Sequence, residues 1–443
     1  MEPQGEPDSD LNAWLEHVQS RGIKVGLGQI TKALQLTGEP QKSFASALVG
    51  GTNGKGSTVS FAASILRKSG LRVGSTVSPH LLNYRERFRV DGELASSSAL
   101  NALARRLRPQ IEASAELGNF TFFELGVLLA LHQFQAEAVE AAVVEVGMGG
   151  EFDASRGCEA RTAAIVSVDL DHQAFLGGSV AEIARTKARI AEPGGTLVVS
   201  ESREDRLAPI TQEAHAIGCR LFLAGRDFRW TLANGRFSYV SDRLQFDEAV
   251  LPLDGAHQGQ NAACAVALVE NFCISSGLSM PSEDDCVRGI EQTRIPGRFE
   301  RVSLESGAIA VLDGAHNPAG ARALADTLAS RPRPDRRVWI FASMADKQRL
   351  QIIEAVLPHV DEIICTAGTS SPRFQEPHRL ADEVRRRAGG KTVSFALTPR
   401  GALAGAITSL AADDELLVAG SLYLVGDVRG LLGLPCENSG RVS

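Results

Sequence analysis

The sequence lacks several features that mark broad classes of protein. No apolar run reaches the length of a membrane span, since the stretch 125–131 ends at His132. The seven cysteines are scattered, odd in number and without a C-x-x-C pair, which disfavours a disulfide framework or a zinc site. Residues 1–10 are polar and acidic, unlike a secretory signal peptide. These absences predict a soluble, cytoplasmic protein that has no membrane partner.

The sequence also has no excess of positive charge. Its 46 lysines and arginines are outnumbered by 53 acids, which gives a formal net charge of −7. No nucleic-acid partner is expected, because binding to a phosphate backbone needs a basic surface. The hydrophobic share of 44% and the charged share of 22% are ordinary for a globular protein. A chain of 443 residues exceeds one ordinary hydrophobic core, which predicts two or three domains.

What the sequence does contain is organised around a glycine-rich stretch at residues 50–58. An apolar run at 45–49 predicts a buried strand before it, and the spacing of 59–66 predicts a helix after it. Glycines in such a loop let backbone N–H groups turn towards an anion, and the start of the helix adds the positive end of its dipole. The stretch therefore resembles a phosphate-binding loop.

Three side chains in this loop could take part in phosphate binding. Lys55 would supply charge for the terminal phosphates, and Ser57 or Thr58 would supply a hydroxyl for phosphate or Mg²⁺. The match to the common pattern is imperfect, because Gly56 separates the lysine from the hydroxyls. The alternative is an ordinary glycine-rich turn that contains a lysine.

Predicted strands alternate with helical stretches on both sides of a break near 296–298. Alternation of this kind predicts mostly parallel sheets with helices on both faces. Short alternating runs between 221 and 253 predict a small antiparallel sheet within the first part. We therefore expect an α/β protein with a first domain at 1–296 and a second at 297–443. The predicted strands lie at 71–77, 141–146, 163–168, 196–200, 308–312, 338–341, 362–365, 393–396 and 415–418.

Polar side chains follow three predicted strands of the first domain: Ser78, Glu145 and His172. Ligands bind at the carboxyl edge of open α/β sheets, where these side chains would meet. A hydroxyl, a carboxylate and an imidazole could surround Mg²⁺ beside a nucleotide, although imidazole is not diagnostic for that ion. Two alternatives stay open: Glu145 pairs with an arginine, because an unpaired buried acid is costly, and His172 is a surface or core histidine.

Three further groups have both a functional and a structural interpretation. Lys187 lies late in the predicted helix 180–190 and by default would be a solvated lysine. The run 313–318 follows the first strand of the second domain and is either a ligand-facing loop or an Asp cap with an Asn-Pro turn. Asn261 could face a ligand or begin the helix that follows it.

Taken together, these segments closely resemble the folylpolyglutamate synthase/dihydrofolate synthase family, which is related to the Mur peptide ligases. The likeness covers nearly the full chain, and the order and spacing of its motifs are specific. They are GTNGKGS at 51–57, SPHL at 78–81, EVGMGG at 145–150, DH at 171–172, KA at 187–188, HQ at 257–258 with Asn261, PGRF at 296–299, DGAHNP at 313–318 and GSLYLV at 420–425.

The resemblance implies an N-terminal ATP-binding domain with a small antiparallel sheet and a C-terminal Rossmann-like domain. It implies ATP and Mg²⁺ as cofactors and leaves room for a monovalent cation. The residues that it places at ATP are Gly54, Lys55, Gly56, Ser57, Asn261, Arg298 and Asp313. Those that it places at Mg²⁺ are Ser78, Glu145 and His172. Lys55, Lys187 and His316 are the implied catalytic residues, with Lys187 at the family's carbamate position and His316 beside the incoming glutamate.

The implied substrates are small molecules: ATP, L-glutamate and a pteroate or folate. The residues that the resemblance places at the pterin ligand are Gly26, Leu27, Thr121, Phe122, Phe123, Glu124, Gly150 and Asp153. The implied reaction is ATP-dependent amide formation through an acyl phosphate, by a monomer. The chain departs from the family pattern on the substrate side, at Lys24, Gly28, Gln29, Glu151 and Arg189. Two alternatives follow: a Mur-like ligase for a different carboxylate, or a nucleotide-binding regulator without ligase activity.

Overall fold

The computed structural model of the protein describes residues 9–19, 26–118, 120–369 and 371–436. Lys24, one of the departures from the family pattern, lies outside these residues. The chain folds into two compact units. The first takes in the described residues of Met1–Ser78, Arg85–Pro252 and Gly259–Thr293, and the second those of Pro79–Tyr84, Leu253–Gln258 and Arg294–Ser443.

Helices and strands alternate through the first unit. Its strands are β1 (Ala45–Gly50), β2 (Val73–Thr76), β3 (Arg89–Val90), β4 (Glu93–Leu94), β5 (Ala141–Glu145), β6 (Thr162–Ile165), β7 (Thr196–Val199), β8 (Arg220–Leu223), β9 (Phe228–Ala233), β10 (Arg236–Ser241) and β11 (Gln245–Val250). Its helices are α1 (Ser9–Gln19), α2 (Gly28–Thr37), α3 (Lys55–Lys68), α4 (Ser97–Glu112), α5 (Phe122–Ala136), α6 (Gln173–Leu176), α7 (Val180–Ala188), α8 (Glu204–Ile217), α9 (Ala256–Ser276) and α10 (Glu283–Glu291). In the described part of the chain, none of the helices is both long and apolar enough to cross a membrane.

The main sheet of the first unit has the strand order β4-β3-β2-β5-β1-β6-β7-β8. The six strands from β2 to β8 in this order run parallel, and the short β3 and β4 pair antiparallel at one edge. Strands β1 and β5 are continuous apolar runs because helices cover both faces of a parallel sheet. Parallel strands end at one edge, so the loops after β1, β2, β5 and β6 lie side by side. This confirms the predicted parallel sheet.

A separate three-stranded antiparallel sheet has the order β11-β10-β9. Its aromatic side chains stack across the strands, with the rings of Tyr239 and Phe246 5.9 Å apart. A buried carboxylate of α9, Glu270, accepts hydrogen bonds from Ser241 and Arg243 of this sheet at 2.9 and 3.2 Å. The predicted antiparallel sheet is confirmed, but its predicted range begins too early: the buried residues 221–223 belong to β8 of the parallel sheet.

The second unit is also α/β. Its strands are β12 (Glu300–Ser303), β13 (Ile309–Asp313), β14 (Arg337–Phe341), β15 (Glu362–Cys365), β16 (Thr392–Phe395) and β17 (Glu415–Ala419). Its helices are α11 (Pro318–Ala329), α12 (Arg349–Val356), α13 (Pro377–Arg385), α14 (Pro399–Ser409) and α15 (Leu422–Leu431). The sheet order is β12-β13-β17-β14-β15-β16, and only β12 among these strands runs antiparallel to its neighbour.

Apolar clusters cover both faces of this second sheet. One contains Trp339 and Phe341 with α11, α12 and α13, and the other contains Val338 and Ile340 with α14 and α15. The five predicted strands are therefore confirmed. Strand β12 was not predicted, because its polar sequence Glu-Arg-Val-Ser gives too short an apolar pattern at the sheet edge.

Candidate active site

The glycine-rich loop leaves β1 and enters α3 at Lys55, as the phosphate-loop interpretation requires. Gly54 has a backbone φ of +85°, and a Cβ atom there would lie 2.2 Å from the Asn261 side-chain oxygen. Only glycine fits at this position, since other L-residues are strained at positive φ and would collide with Asn261. Asn261 lies inside α9 and not at its start, so the helix-start alternative for this residue is wrong.

Lys55 and Glu145 meet at the carboxyl edge of the sheet. The Lys55 Nζ lies 3.9 Å from Glu145 Oε1 and donates to the carbonyls of Gly51 and Thr52 at 3.3 Å each. The backbone N–H of Ser78 donates to Glu145 Oε2 at 2.9 Å. Lys55 of the phosphate loop is therefore a cation beside Glu145.

A third oxygen belongs to the same loop. The Ser57 hydroxyl is buried and has no hydrogen-bond partner among the residues that the structure describes. A buried hydroxyl without a partner is costly, so the site is built for a ligand that supplies one. Ser57, Glu145 and the phosphates of a nucleotide are oxygen donors of the kind that Mg²⁺ prefers.

His172 lies in the loop after β6 and immediately precedes α6. Its side chain is 46% exposed and lies 3.9 Å from the carboxylate of Asp171. The same loop contacts the phosphate loop, because the Thr52 hydroxyl bonds both the backbone N–H and the carbonyl of Asp169 at 3.0 and 3.1 Å. Within 9–19, 26–118, 120–369 and 371–436, no three His, Cys, Asp or Glu side chains converge as a metal-binding group.

Lys187 is buried against the phosphate loop, with 4% exposure. Its Nζ donates to the Gly51 carbonyl at 2.8 Å. Burial, reinforced by the nearby charge of Lys55, lowers the pKa of Lys187 to about 7. A substantial share of its amine is therefore neutral near pH 7, and the interpretation as a solvated helix lysine is wrong.

The expected pterin-side residues at the start of α5 fold into an N-terminal cap. The Thr121 hydroxyl accepts from the Glu124 N–H, and the Glu124 carboxylate accepts from the Thr121 N–H at 2.8 Å. Phe123 packs on Gly147, where a Cβ atom would lie 2.5 Å from its ring. Arg87 stacks over the Phe122 ring at 5.3 Å. Phe123 also lines a cavity with Ser78 and Glu145, which links this group to the phosphate site.

The loop after β5 contains the next two expected residues, Gly150 and Asp153. A Cβ atom on Gly150 would lie 2.3 Å from the Thr186 carbonyl, so the loop packs directly on α7. The buried Asp153 carboxylate accepts from the N–H groups of Met148 and Ser155 at 2.8 and 3.0 Å. Burial raises the pKa of Asp153 despite these hydrogen bonds. Gly26 and Leu27, the remaining two residues expected at the pterin, lie directly before α2.

Two departures from the family pattern contact each other. Arg189, which follows α7, pairs with Glu151 of the β5 loop at 3.0 Å and with Glu213 of α8 at 2.8 Å. The negative charge at 151 and the positive charge at 189 therefore compensate. Gln29, another departure, donates to the Glu116 carbonyl at 2.7 Å.

In the second unit, two expected nucleotide-contacting segments lie together. The Asp313 carboxylate accepts from the N–H groups of Phe299 and Ala315 at 2.9 Å each. Arg298 lies against Gly314, where a Cβ atom would be 2.3 Å from its guanidinium nitrogen. The His316 ring nitrogen Nδ1 bonds the Gly314 carbonyl at 2.8 Å. The arrangement fixes the loop 313–317 against residues 297–299.

The loop does cap the following helix, but the capping residue is not the predicted one. Asn317, not Asp313, caps α11 by accepting from the Gly320 N–H at 2.8 Å, and Pro318 occupies the first turn. Thr52, which links the phosphate loop to the β6 loop, was not among the predicted site residues. Its position inside the GTNGKGS motif was the available signal.

Comparisons with known proteins agree with this geometry. A family model for the Mur ligase middle domain matches residues 49–269, and one for the Mur ligase, glutamate ligase domain matches residues 297–422. The dihydrofolate synthase/folylpolyglutamate synthase of Mycobacterium tuberculosis is 31% identical over 446 residues, which cover 93% of this chain and 91% of that protein. This chain belongs to the folylpolyglutamate synthase/dihydrofolate synthase family.

Other relatives in this family differ in length. A probable bifunctional folylpolyglutamate synthase/dihydropteroate synthase of Halobacterium salinarum is 36% identical over 416 residues, which cover 92% of this chain and 49% of that protein. The similarly named protein of Haloferax volcanii is also 36% identical, and 48% of its length is covered. The chain thus spans about half the length of these archaeal relatives.

Solved structures of the family share the fold of this chain. The structure of Escherichia coli FolC in complex with DHPP and ADP has a TM-score of 0.85 at 28% identity and covers 97% of this chain and 98% of its own. A bifunctional folylpolyglutamate synthase/dihydrofolate synthase with Mn, AMPPNP and L-glutamate bound has a TM-score of 0.83 at 28% identity, with 96% and 98% covered. The predicted fold class is confirmed.

Proposed function

We propose that the protein is an ATP- and Mg²⁺-dependent ligase that adds L-glutamate to dihydropteroate, to folates, or to both, through an acyl phosphate. The observation that carries the proposal is the convergence of Lys55, Glu145, Ser57 and Lys187 on the glycine-rich loop. The names of the relatives, and the ligands bound in their solved structures, support it.

The reaction has two steps. An oxygen of the acid substrate attacks the γ-phosphorus of ATP, the bond to the bridging oxygen breaks, and ADP leaves. The amine of glutamate then attacks the acyl carbon, the bond to the phosphate oxygen breaks, and the amine loses a proton. Lys55 and the loop N–H groups would stabilise negative charge on the transferring phosphoryl group, which is the main mode of catalysis in such reactions.

The oxygen donors of the first unit fit a divalent ion. Ser57, Ser78 and Glu145 would hold it, with His172 as a further ligand. Mg²⁺ commonly binds through one or two carboxylates, water and substrate phosphates, so the scarcity of acids at this site agrees with it. When bound, the ion would neutralise charge on the nucleotide phosphates. A bound monovalent cation stays a prediction.

We further propose that Lys187 is carbamylated in the active enzyme. A neutral amine reacts with carbon dioxide, and the lowered pKa of Lys187 makes the amine neutral. Carbamylation joins the amine nitrogen to the carbon of carbon dioxide and releases a proton, which would leave an anion beside the cation of Lys55. These two charges would attract, whereas the protonated amine is repelled by Lys55.

Residues of the second unit also have proposed roles. Arg298 and Asp313 are proposed ATP contacts and His316 a proposed neighbour of glutamate, because one tightly bonded loop structure holds all three. We also propose the domain division 1–296 and 297–443. The cytoplasmic location and the monomeric state stay predictions.

The test is phosphate release by the purified protein with ATP and Mg²⁺. Dihydropteroate and a reduced folate are assayed side by side, each with and without L-glutamate. We expect sustained phosphate release only when an acid substrate and glutamate are present together. No stimulation by any pteroate or folate at any glutamate concentration would refute the proposal.

A second candidate keeps the chemistry and changes the acid substrate. The Glu151–Arg189 pair favours it, because both residues depart from the family pattern. Glu151 lies in the same loop as the expected pterin residues Gly150 and Asp153, and Arg189 directly follows the helix on which that loop packs. A panel of carboxylic acids in the same assay distinguishes the two candidates.

A further inference from the structure

The segment that connects β6 to His172 is bonded along its whole length. We call residues 166–169 the β6 exit segment. On one side it contacts the phosphate loop: the Thr52 N–H donates to the Ser167 carbonyl at 2.7 Å, and the Asn53 N–H donates to the Ser167 hydroxyl at 3.2 Å. The Thr52 hydroxyl bonds the Asp169 backbone, as described above. Hydrogen bonds therefore join the β6 exit segment to the phosphate loop.

The other side of the β6 exit segment is held by charged residues that follow β7. The Val168 N–H donates to Glu201 Oε2 at 2.9 Å, and the Val168 carbonyl accepts from Arg203 at 2.8 Å and from Arg206 at 2.9 Å. Arg203 also donates to both oxygens of Glu201, at 2.9 and 2.6 Å. The backbone of one residue, Val168, is thus held on both sides by a carboxylate and two guanidinium groups.

This arrangement is costly for a loop that only had to connect two elements. Glu201 is 3% exposed, and burying a carboxylate is unfavourable unless hydrogen bonds and charge offset it. Burial alone would raise the pKa of Glu201, but the hydrogen bonds from Arg203 and from Val168 outweigh it and hold the pKa below its usual value. The carboxylate therefore stays ionised and keeps Arg203 in place.

We infer that Glu201 and Arg203 are positioning residues that fix His172 relative to the phosphate loop. The inference rests on the metal-binding role given to His172 in the proposed function. Val168, whose backbone Glu201 and Arg203 hold, lies four residues before His172. Thr52 anchors Asp169, the next residue along the chain. Small displacements of a ligand are expensive, and loss of such supporting contacts commonly weakens metal binding about 10- to 100-fold.

The experiment measures binding, not ligase activity. Mn²⁺ affinity is measured in the presence of AMPPNP by the electron paramagnetic resonance signal of the free ion, and ADP affinity is measured in EDTA. We expect Arg203→Ala to weaken Mn²⁺ binding about 10-fold and to leave metal-free ADP binding unchanged. Arg226→Ala is the matched control, because Arg226 likewise pairs with a carboxylate and donates to a carbonyl, that of Leu221, at 2.8 Å. It should alter neither affinity.

A double-mutant cycle separates positioning from a general loss of structure. His172→Ala should weaken Mn²⁺ binding, and adding Arg203→Ala should cause no further loss, because both changes remove the same contribution. Additive losses, unchanged Mn²⁺ binding in either single variant, or an equal loss of metal-free ADP binding would each overturn the inference. If Arg203→Ala does not fold, Glu201→Gln is measured in its place and should show the same weakened Mn²⁺ binding and unchanged ADP binding. If the wild-type protein binds Mn²⁺ and AMPPNP but does not ligate glutamate, the proposed function is refuted. The binding measurements would still test this inference.

Discussion

At the residue scale, Lys187 shows how strongly burial changes the chemistry of a side chain. Its amine lies within hydrogen-bond distance of the Gly51 carbonyl and close enough to Lys55 for repulsion. Burial first, and then the charge of Lys55, disfavour the charged form of the amine, while Asp171 and Asp153 favour it less strongly. A lysine that would be a solvated cation on another helix is here buried beside the phosphate loop, with a substantial neutral fraction near pH 7.

Replacement of Lys187 tests its proposed carbamate. Lys187→Ala should lower ligase activity by about 10- to 100-fold, because the anion that would support the metal site is lost. A short carboxylate such as acetate should restore part of the activity by occupying the space of the carbamate. Steady-state rates with and without acetate measure this. Wild-type activity in the variant would remove the carbamate role.

Lys187 should also make stability depend on pH. The pKa is about 7 in the folded protein, against an ordinary value of 10.5. Between these values the unfolded chain binds more protons, so the free energy of unfolding should rise with pH by up to about 1.4 kcal/mol per pH unit. Below pH 7 the contribution is constant. Urea unfolding in carbon-dioxide-free buffer should show this rise in wild type and its loss in Lys187→Met.

The matched control for this experiment is Lys68→Met, at the partly exposed end of α3. Lys68→Met should keep the wild-type rise in stability above pH 7. Parallel pH profiles of wild type and Lys187→Met would contradict the low pKa.

Gly54 is the position where the phosphate loop tolerates no side chain. Gly54→Ala should weaken ADP binding by about tenfold or more, because an alanine at positive φ costs roughly 1–2 kcal/mol and its Cβ would collide with Asn261. Gly178→Ala is the control, since a Cβ there meets nothing within 4 Å. Isothermal titration calorimetry with ADP measures both variants. Equal ADP affinity in the two would show that the loop adopts another conformation.

At the element scale, the start of α5 combines stability with the expected substrate site. The Thr121–Glu124 capping box satisfies N–H groups that a helix start leaves without partners. Helix α10 has the same device, formed by Ser282 and Asp285, away from the expected substrate residues. The two helices therefore provide a comparison of a cap beside the site with a cap elsewhere.

Removing each cap distinguishes the two roles. Thr121→Ala and Ser282→Ala should each cost about 1 kcal/mol of unfolding free energy. Only Thr121→Ala should also raise the KM for the acid substrate, because the first turn of α5 would shift near Phe123. Urea unfolding and initial-rate kinetics measure both quantities. An equal change of KM in the two variants would remove the start of α5 from the substrate site.

The elements that the sequence predicted best are those with continuous apolar runs. Strands β5 and β14 are buried along their whole length, where helices cover both faces of their sheets. The short polar strand β12 was missed because its residues gave no clear period, and α2 was missed although Ile30, Ala33 and Leu34 have helical spacing. Local pattern is strong where burial is complete and weak at edges.

At the scale of the whole molecule, free and mostly buried cysteines are distributed over both units. Six of the seven cysteines are buried, and Cys436 is half-buried. Burial raises the pKa of Cys264 and Cys365 to about 12 each, so their thiolate forms are scarce at neutral pH. Both units contain such thiols.

Thiol labelling should therefore report on the integrity of both units at once. Native protein at pH 8 should react quickly with Ellman's reagent at no more than one thiol, Cys436, and denatured protein at all seven. The release of thionitrobenzoate measures the count. Fast reaction of several thiols in the native protein would show that one of the units opens readily.

The sequence by itself determined the alternation of strands and helices, the glycine-rich loop and the order of the motifs, because each depends on neighbouring residues. Only the tertiary structure decided which charges face each other. It paired Glu145 with Lys55, Glu151 with Arg189, and Glu201 with both Arg203 and the Val168 peptide. These partners come from different strands and loops, and only the packing of the sheet brings most of them within reach of one another.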